Sequence, residues 1–265
     1  MRRIYPDFAY GDGPLRGCWW SQTAQTPDRP DLRGAHRCDV AIIGCGYTGI
    51  SAALHLAQAS VDATVLDARY VGFGASGRNG GQVGTGWNWD QRKLEKRLGQ
   101  DDARKLWDLT VEAKALTRDL VARHAPEAGY KPGVLEGHWT NAGAEDIRDY
   151  GRWLQDHYDY RSEYLHREAF QQVCCSPVYA GGLLDRDAGH LHPLRYVLGL
   201  ARAAEAAGAR IYERTEATAL TDSTVQTPKG RITARQIVVA GNGYLPDITN
   251  DISRRVMPIN SFIAA

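Results

Sequence analysis

The sequence is short of every feature that would place it outside the ordinary globular proteins. It has no excess of either charge: 32 basic residues stand against 31 acidic ones, a net +1, with no long basic run. That excludes an electrostatic grip on nucleic acid or on an anionic membrane. No apolar stretch approaches the ~20 residues needed to cross a bilayer. The five cysteines (Cys18, Cys38, Cys45, Cys174, Cys175) are odd in number and irregular in spacing, so they are no disulfide framework. Reduced thiols are the expectation. No Cys/His grouping has zinc spacing. His190 and His192 alternate along a strand-like stretch without a third ligand nearby, which is a weak metal pair. Met1-Arg2-Arg3 is not followed by an apolar core, so a secretory signal is not expected and a cytoplasmic location is. There is no internal repeat and no low-complexity tract.

What is present is 265 residues of soluble composition, 43% hydrophobic and 24% charged, with 28 glycines. Residues 1–36, rich in Pro, Gly and polar residues, read as an extended arm that packs through Trp19 and Trp20. Asp39–Ile43 reads as a buried parallel strand and residues 47–59 as a helix with Ile50, Ala53, Leu54 and Ala57 on one face. Ala63–Asp67 is a second buried strand, which completes a βαβ unit. After a glycine-rich stretch, Leu106, Leu109, Ala113, Leu116 and Leu120 recur as one apolar stripe on a long packing helix. A strand is expected between Val134 and Thr140, and a helix over Asp146–His157. Pro193 opens a further helix that runs to Ala207, and Gly208 ends it. Ala209–Tyr212 is a strand. Thr224–Thr227 and Arg231–Thr233 flank Pro228-Lys229-Gly230 as a hairpin. Gln236–Ala240 is another buried strand. Alternating strands and helices of this kind make an α/β fold (α+β overall) with a parallel sheet. The aromatic and basic cluster Tyr150, Trp153, His157, Tyr158, Tyr160 and Arg161 reads as packing ahead of a substrate wall.

Gly44-Cys45-Gly46-Tyr47-Thr48-Gly49 follows the first strand and opens the helix, the context in which such spacing has a mechanism. Gly44 permits the tight turn, Gly46 lets a diphosphate approach the backbone, and Gly49 lets the helix pack closely on the strand. The helix amino terminus offers N–H groups to the phosphates. Asp67, at the end of the second strand, is placed to accept hydrogen bonds from an adenosine ribose and to repel a 2′-phosphate. These residues specify a dinucleotide site and leave NAD and FAD open. The next stretch, Gly72-Phe73-Gly74-Ala75-Ser76-Gly77-Arg78-Asn79-Gly80-Gly81-Gln82, holds five glycines and suggests backbone lying against a flat ring system.

That stretch resembles the D-amino-acid-oxidase-like family of FAD-dependent oxidoreductases, within it the branch containing the gamma-glutamylputrescine oxidases. Gly181–Asp185, Gly189–Leu194 and Val238–Leu245 are similar to the same branch, as are the paired tryptophans and Cys38-Asp39. The resemblance implies a Rossmann-like FAD-binding domain over residues 37–88 and 189–250. It also implies an incomplete mixed-sheet substrate domain over 89–188 and 251–265. It implies that Ala68 and Arg69 join Asp67 beside the adenosine, and that Gly74, Ala75, Ser76, Arg78, Asn79, Gly80, Gly81 and Gln82 run beside the diphosphate and flavin. Ala217 would meet the adenine through its backbone, and Ala240-Gly241-Asn242-Gly243 would close over the cofactor. Some relatives attach flavin through a His in the glycine-rich loop. Arg78-Asn79 offers no such group here, so non-covalent FAD is implied. The implied activity is oxidation of an amine to an imine, with oxygen or another acceptor reoxidising the cofactor. No residue is singled out as catalytic. An amino-acid dehydrogenase and a non-catalytic flavin-binding remnant are the alternatives. Met257–Ala265 resembles the family's re-entry into its substrate domain, and the family continues further. The expected partners are therefore a small amine and either a complementary chain or a second copy.

Overall fold

The computed structural model describes residues 18–244 together with Ile252, Arg255 and Val256. The first half of the chain runs α1 (Trp19–Thr23), β1 (Gly34–Ile43), α2 (Tyr47–Gln58), β2 (Ala63–Leu66), β3 (Gln82–Val83), α3 (Gln91–Leu98), α4 (Gln100–His124) and β4 (Lys131–His138). The second half runs α5 (Asn141–Tyr158), β5 (Glu163–His166), α6 (Arg167–Cys174), β6 (Gly181–His190), α7 (Pro193–Ala206), β7 (Arg210–Tyr212), β8 (Ala219–Leu220), β9 (Thr224–Thr227) and β10 (Gly230–Val239). Two compact units result. One comprises residues 1–80, 120–128 and 192–265, the other 81–119 and 129–191. The family re-entry expected at Met257–Ala265, and Leu245 of the last motif, lie outside the described residues. No described helix is long and apolar enough to cross a membrane.

The first unit is built on a six-stranded sheet of order β7-β2-β1-β10-β9-β8. The four strands β7, β2, β1 and β10 are parallel, and β9 and β8 add antiparallel pairs at one edge. Val40–Ile43 and Ala63–Leu66 are buried throughout, as continuous apolar runs must be when both sheet faces are covered. α2 buries the expected face, Ile50, Ala53, Leu54 and Ala57. β10 differs from the sequence reading. The hairpin arm and the later strand are one ten-residue strand, because β1 begins at Gly34 and pairs with β10 from Gly230 to Val239. The end expected to be buried is not: Gln236 is exposed and Ile237, Val238 and Val239 are half-buried. A Cβ at Gly230 would stand 2.3 Å from Gly34 O, so the two strands close only around that glycine.

The arm is not a plain extended segment. Residues 19–23 form α1, where Trp19 is 61% exposed and only Trp20 turns inward. Further along, Arg29 inserts between Glu205 and Glu213. It donates from Nε and Nη2 to Glu205 (2.7 and 3.0 Å) and from Nη1 to Glu213 (3.2 Å). Glu213 N–H donates back to Pro30 O, and Leu32 N–H to Thr215 Oγ1.

α7 opens on His192, whose Nδ1 accepts the Arg195 N–H at 3.2 Å, a side-chain N-cap. The other ring nitrogen, Nε2, lies 3.0 Å from Thr23 Oγ1. Thr23 spends its own hydroxyl proton on Trp19 O, so His192 Nε2 carries the hydrogen. Burial, with the Arg195 charge second, pushes His192 down to about 4 from an ordinary 6.5. The unfolded chain therefore binds a proton that the fold refuses between those two values. Stability is full above pH ~6.5 and falls as pH drops towards 4. For a half-buried ring the effect is about 1–2 kcal/mol at most. Thermal melts from pH 7 to 4 should show this extra loss in the wild type and a smaller one in His192→Asn, which keeps the capping oxygen without titrating. Parallel losses in both would remove His192 as the cause.

The second unit carries the sheet β3-β6-β4, with β5 also pairing β6, and every pair among the described residues is antiparallel. α4 presents a face other than the expected one. Leu109 is 54% exposed, and Ala113 and Leu116 are exposed too, whereas Ala103, Trp107 and Lys114 are buried. The polar members of the inner stripe hold partners. Thr110 Oγ1 accepts the Gly86 N–H and donates to Trp107 O, and Lys114 pairs with Asp187. Trp107, Leu154 and Tyr158 form the local core, with Tyr150, Trp153 and Tyr160 against it.

Candidate functional site

A cavity of about 710 Å³ lies in the first unit at the carboxyl ends of β1, β2 and β10. The volume is within the ~300–1,000 Å³ usual for small-molecule sites, and the position is where open α/β sheets bind ligands. Its floor is the turn between β1 and α2. Gly44 takes φ +111°, and a Cβ there would meet Ala240 O at 2.5 Å and Ala240 C at 2.9 Å. Gly49 lies directly under that turn, where a Cβ would stand 1.9 Å from Gly44 O and 3.2 Å from Ile42 Cγ2. A Cβ on Gly46 would fall 2.9 Å from Ser76 Oγ. Gly44 and Gly49 are therefore required by close approach to backbone, of the strand end and of the turn, whereas at Gly46 the added carbon would meet only the Ser76 side chain, which can shift.

The first-turn amides of α2 have no intrahelical acceptor. One of them, Tyr47 N–H, donates to Ser76 Oγ at 2.9 Å. Tyr47 Oη donates to Pro193 O and accepts from Asn79 Nδ2, which also reaches Ala75 O at 3.0 Å. Burial, chiefly, raises the Tyr47 phenol, so it is a neutral donor and acceptor here. Ser76 and Asn79 thus tie the glycine-rich loop back to the mouth of α2.

Asp67 stands at the end of β2 and lines the cavity. Its Oδ2 accepts Cys45 N–H at 2.7 Å and its Oδ1 accepts Arg69 N–H at 2.8 Å. Burial nonetheless holds the carboxyl above its usual range, against those two donors. A carboxylate has about four acceptor positions; two are filled, and the rest can take hydroxyl donors from the cavity. Cys45 lines the same wall. Burial, then the Asp67 charge, pushes its thiol well up, so it is protonated and a poor nucleophile.

Of the residues singled out from sequence, the cavity brings together Gly44, Gly46, Tyr47 and Thr48 on one side, and Asp67, Ala68 and Arg69 on another. Gly74, Ala75, Ser76 and Asn79 come from the glycine-rich loop, and Ala217, Ala240, Gly241 and Asn242 complete the walls. Gly49 supports the turn from beneath. Arg78, Gly80 and Gly243 do not line the cavity. Arg78 lies over the Phe73 ring at 4.3 Å, and its Nη2 is buried without a hydrogen-bond partner. Gly81 and Gln82 belong to the second unit, where Gln82 pairs with His190. Residues the sequence reading missed also line the wall, among them Phe73, Thr215, Glu216 and Tyr244. The signal for Thr215 and Glu216 is a tertiary one: Thr215 N–H donates to Asp67 O at 2.7 Å, which clips the segment after β7 to the end of β2.

Among the described residues, His, Cys, Asp and Glu form no group of three or more that could hold a metal ion. In the second unit a separate cavity of about 490 Å³ is lined by Trp87, Trp89, Tyr150, Tyr160 and Asp185, among others. Of the aromatic cluster read as packing, Tyr158 is core, Trp153 stacks on His157 at 4.7 Å, and Tyr150 and Tyr160 face this cavity.

The profile of the family described as "DAO: FAD dependent oxidoreductase" matches residues 39–265. The chain is 37% identical over 225 residues to the gamma-glutamylputrescine oxidoreductase of Escherichia coli (strain K12), covering 83% of this chain and 53% of that protein. It is also 37% identical over 254 residues to the probable oxidoreductase OrdL of Rhizobium meliloti (strain 1021), covering 93% and 59%. It therefore spans little more than half the length of these relatives. Among solved structures, glycine oxidase from Geobacillus kaustophilus superposes with a TM-score of 0.67 at 22% identity, over 82% of this chain and 58% of that one.

Proposed function

The chain belongs to the DAO family of FAD-dependent oxidoreductases, and from that premise we propose that its first unit binds FAD for the oxidation of an amine C–N bond to an imine. Gamma-glutamylputrescine is the proposed substrate, on the strength of the relative that is 37% identical. The observation that carries the reading is the cavity floor, where Gly44 and Gly49 are forced by close approach to backbone and a buried carboxylate keeps acceptor positions open.

The residues fit the cofactor as follows. The turn Gly44–Thr48 and the amides of α2 would take the diphosphate. Asp67, with Ala68 and Arg69, would take the adenosine ribose, and Ala217 would meet the adenine. Gly74, Ala75, Ser76 and Asn79 would run beside the diphosphate and ring system, and Ala240, Gly241 and Asn242 would cover it. FAD, when bound, supplies a two-electron acceptor for the hydride equivalent leaving the carbon beside nitrogen, and passes the electrons on to oxygen. Cys45, kept as a thiol, and a glycine-rich loop without histidine leave the cofactor non-covalently held. The second unit is proposed to contribute the substrate domain, and the protein to work in the cytoplasm, consistent with its free thiols.

The test is a visible spectrum of the purified chain, followed by anaerobic addition of gamma-glutamylputrescine, other amines and amino acids. Flavin absorbance bleached by the amine supports the proposal. Bleaching by amino acids alone transfers the assignment to an amino-acid dehydrogenase, and colour without bleaching reduces it to cofactor binding. A chain that stays colourless after incubation with FAD ends it.

Asp67 gives a sharper check. Asp67→Asn removes the charge and sets an amide N–H₂ against Cys45 N–H or Arg69 N–H. Hydrogen bonds to a charged group are worth about 1.5–3 kcal/mol, so FAD affinity should fall roughly 10- to 100-fold in a fluorescence-quenching titration. Unchanged affinity would place the ribose elsewhere.

A further inference from the structure

α1 precedes the span that the family profile matches, yet it is joined to the wall of the proposed cofactor cavity. Trp20 Nε1–H donates to Asn79 O at 3.0 Å. Asn79 in turn donates from Nδ2 to Tyr47 Oη, Ala75 O and Ser76 O, and Tyr47, Ala75, Ser76 and Asn79 all line the cavity. The Trp20 ring meets the His192 ring edge-on with centroids 4.7 Å apart. His192 Nε2 holds Thr23 Oγ1, and Arg195 Nη2 donates to Thr23 O at 2.7 Å. One end of this short helix is thus fixed to the start of α7 and the other to the turn 75–79. That segment holds a single 3₁₀ turn, Ala75–Gly77, after Gly74, with little regular structure of its own to hold its shape. Trp19, the neighbouring ring, points to solvent and serves as an internal contrast.

We propose that Trp20, held against His192, is a latch on the 75–79 turn and sets how long the dinucleotide stays bound. The proposal rests on the FAD reading for its ligand and on the hydrogen bonds above for its mechanics. Trp20 is a positioning residue: it touches the turn through Asn79 and does not enter the cavity. Releasing it frees the Asn79 carbonyl and loosens the hydrogen bonds that hold Ser76 and Tyr47 in register. The wall then opens more often, and the effect falls on the off-rate.

The experiment uses the full chain loaded with FAD and compares Trp20→Ala, Trp20→Phe and Trp19→Ala. Release after dilution is followed by the recovery of flavin fluorescence, and hydrogen exchange of the 74–81 segment is measured in the cofactor-free protein. Loss of one hydrogen bond with its ring contact should raise the release rate about ten-fold in Trp20→Ala. Trp20→Phe, which keeps a ring but loses the donor, should give about three-fold, and Trp19→Ala no change. Exchange over 74–81 should rise in the same order. If Trp20→Ala fails to fold, Thr23→Val tests the same latch from its α7 end and should raise both quantities. Release and exchange that match wild type in Trp20→Ala, or that change equally in Trp19→Ala, overturn the latch. A wild-type chain that takes up no FAD overturns the functional proposal instead, and the exchange measurement still decides the latch.

Discussion

Gly44→Ala is expected to yield a colourless protein whose FAD affinity is lower by roughly 100-fold or more. Two costs act at one atom. At φ +111° a non-glycine residue is strained by about 1–3 kcal/mol. The added Cβ also meets Ala240 O and C at 2.5 and 2.9 Å, and forcing atoms into a packed site costs about 1–3 kcal/mol more. Ala240 cannot step aside cheaply, because its N–H donates to Ile43 O at 2.8 Å and holds the strand end in place. The turn must move instead, and it is the turn that would meet the diphosphate. Gly208→Ala is the matched control: its φ is +105°, and nothing lies within 4 Å of the added carbon. It should lower Tm through strain alone and leave FAD affinity untouched. Wild-type affinity in Gly44→Ala, by fluorescence titration, would show that the turn is not the cradle.

Arg29→Ala should give the largest loss of stability. The Arg29 side chain is 4% exposed and that of Glu213 is 3% exposed, and the Glu213 carboxylate also accepts the Val71 N–H at 3.0 Å. Removing the guanidinium leaves a buried carboxylate with one backbone donor and the Arg214 guanidinium at 3.8 Å as its remaining counter-charge, a situation that costs up to about 3–5 kcal/mol. For a chain of this size that is roughly 6–20 °C in Tm. Glu213→Gln in the same protein removes the stranded charge and should recover a good part of the loss. Additive losses in the double variant would mean that the two residues act separately. Because Val71 opens the glycine-rich loop and Thr215 follows Glu213, FAD affinity should fall along with stability, by less than in Gly44→Ala.

The cradle was legible because its parts are contiguous and each residue type has a local cause. A buried apolar run, three glycines at fixed offsets and a helix with an apolar face specify strand, turn and helix with no help from distant residues. The same holds for the Asp67 position and for α7 between its Pro193 start and Gly208. The face of α4 was less legible, since leucines at three- and four-residue spacing define a stripe on paper. The helix turns half-buried Thr110 and buried Lys114 inward instead, because Gly86, Trp107 and Asp187 satisfy their polar ends. Counting apolar residues cannot register a partner 73 positions away. The unity of β10 was hidden for a related reason: polar residues break its pattern, and only the pairing with the early half of β1 makes it continuous.

The sequence by itself determined that a strand, a glycine turn and a helix would build a dinucleotide cradle with a carboxylate beside it, because those choices rest on backbone sterics within some thirty residues. The tertiary structure alone decided what braces the cradle: Arg29 between two glutamates, Thr215 on the end of β2, Ala240 across Gly44, and Trp20 on Asn79. Each of these joins segments some 60 to 200 residues apart, and close approach over such separations is set by how the sheet and helices pack.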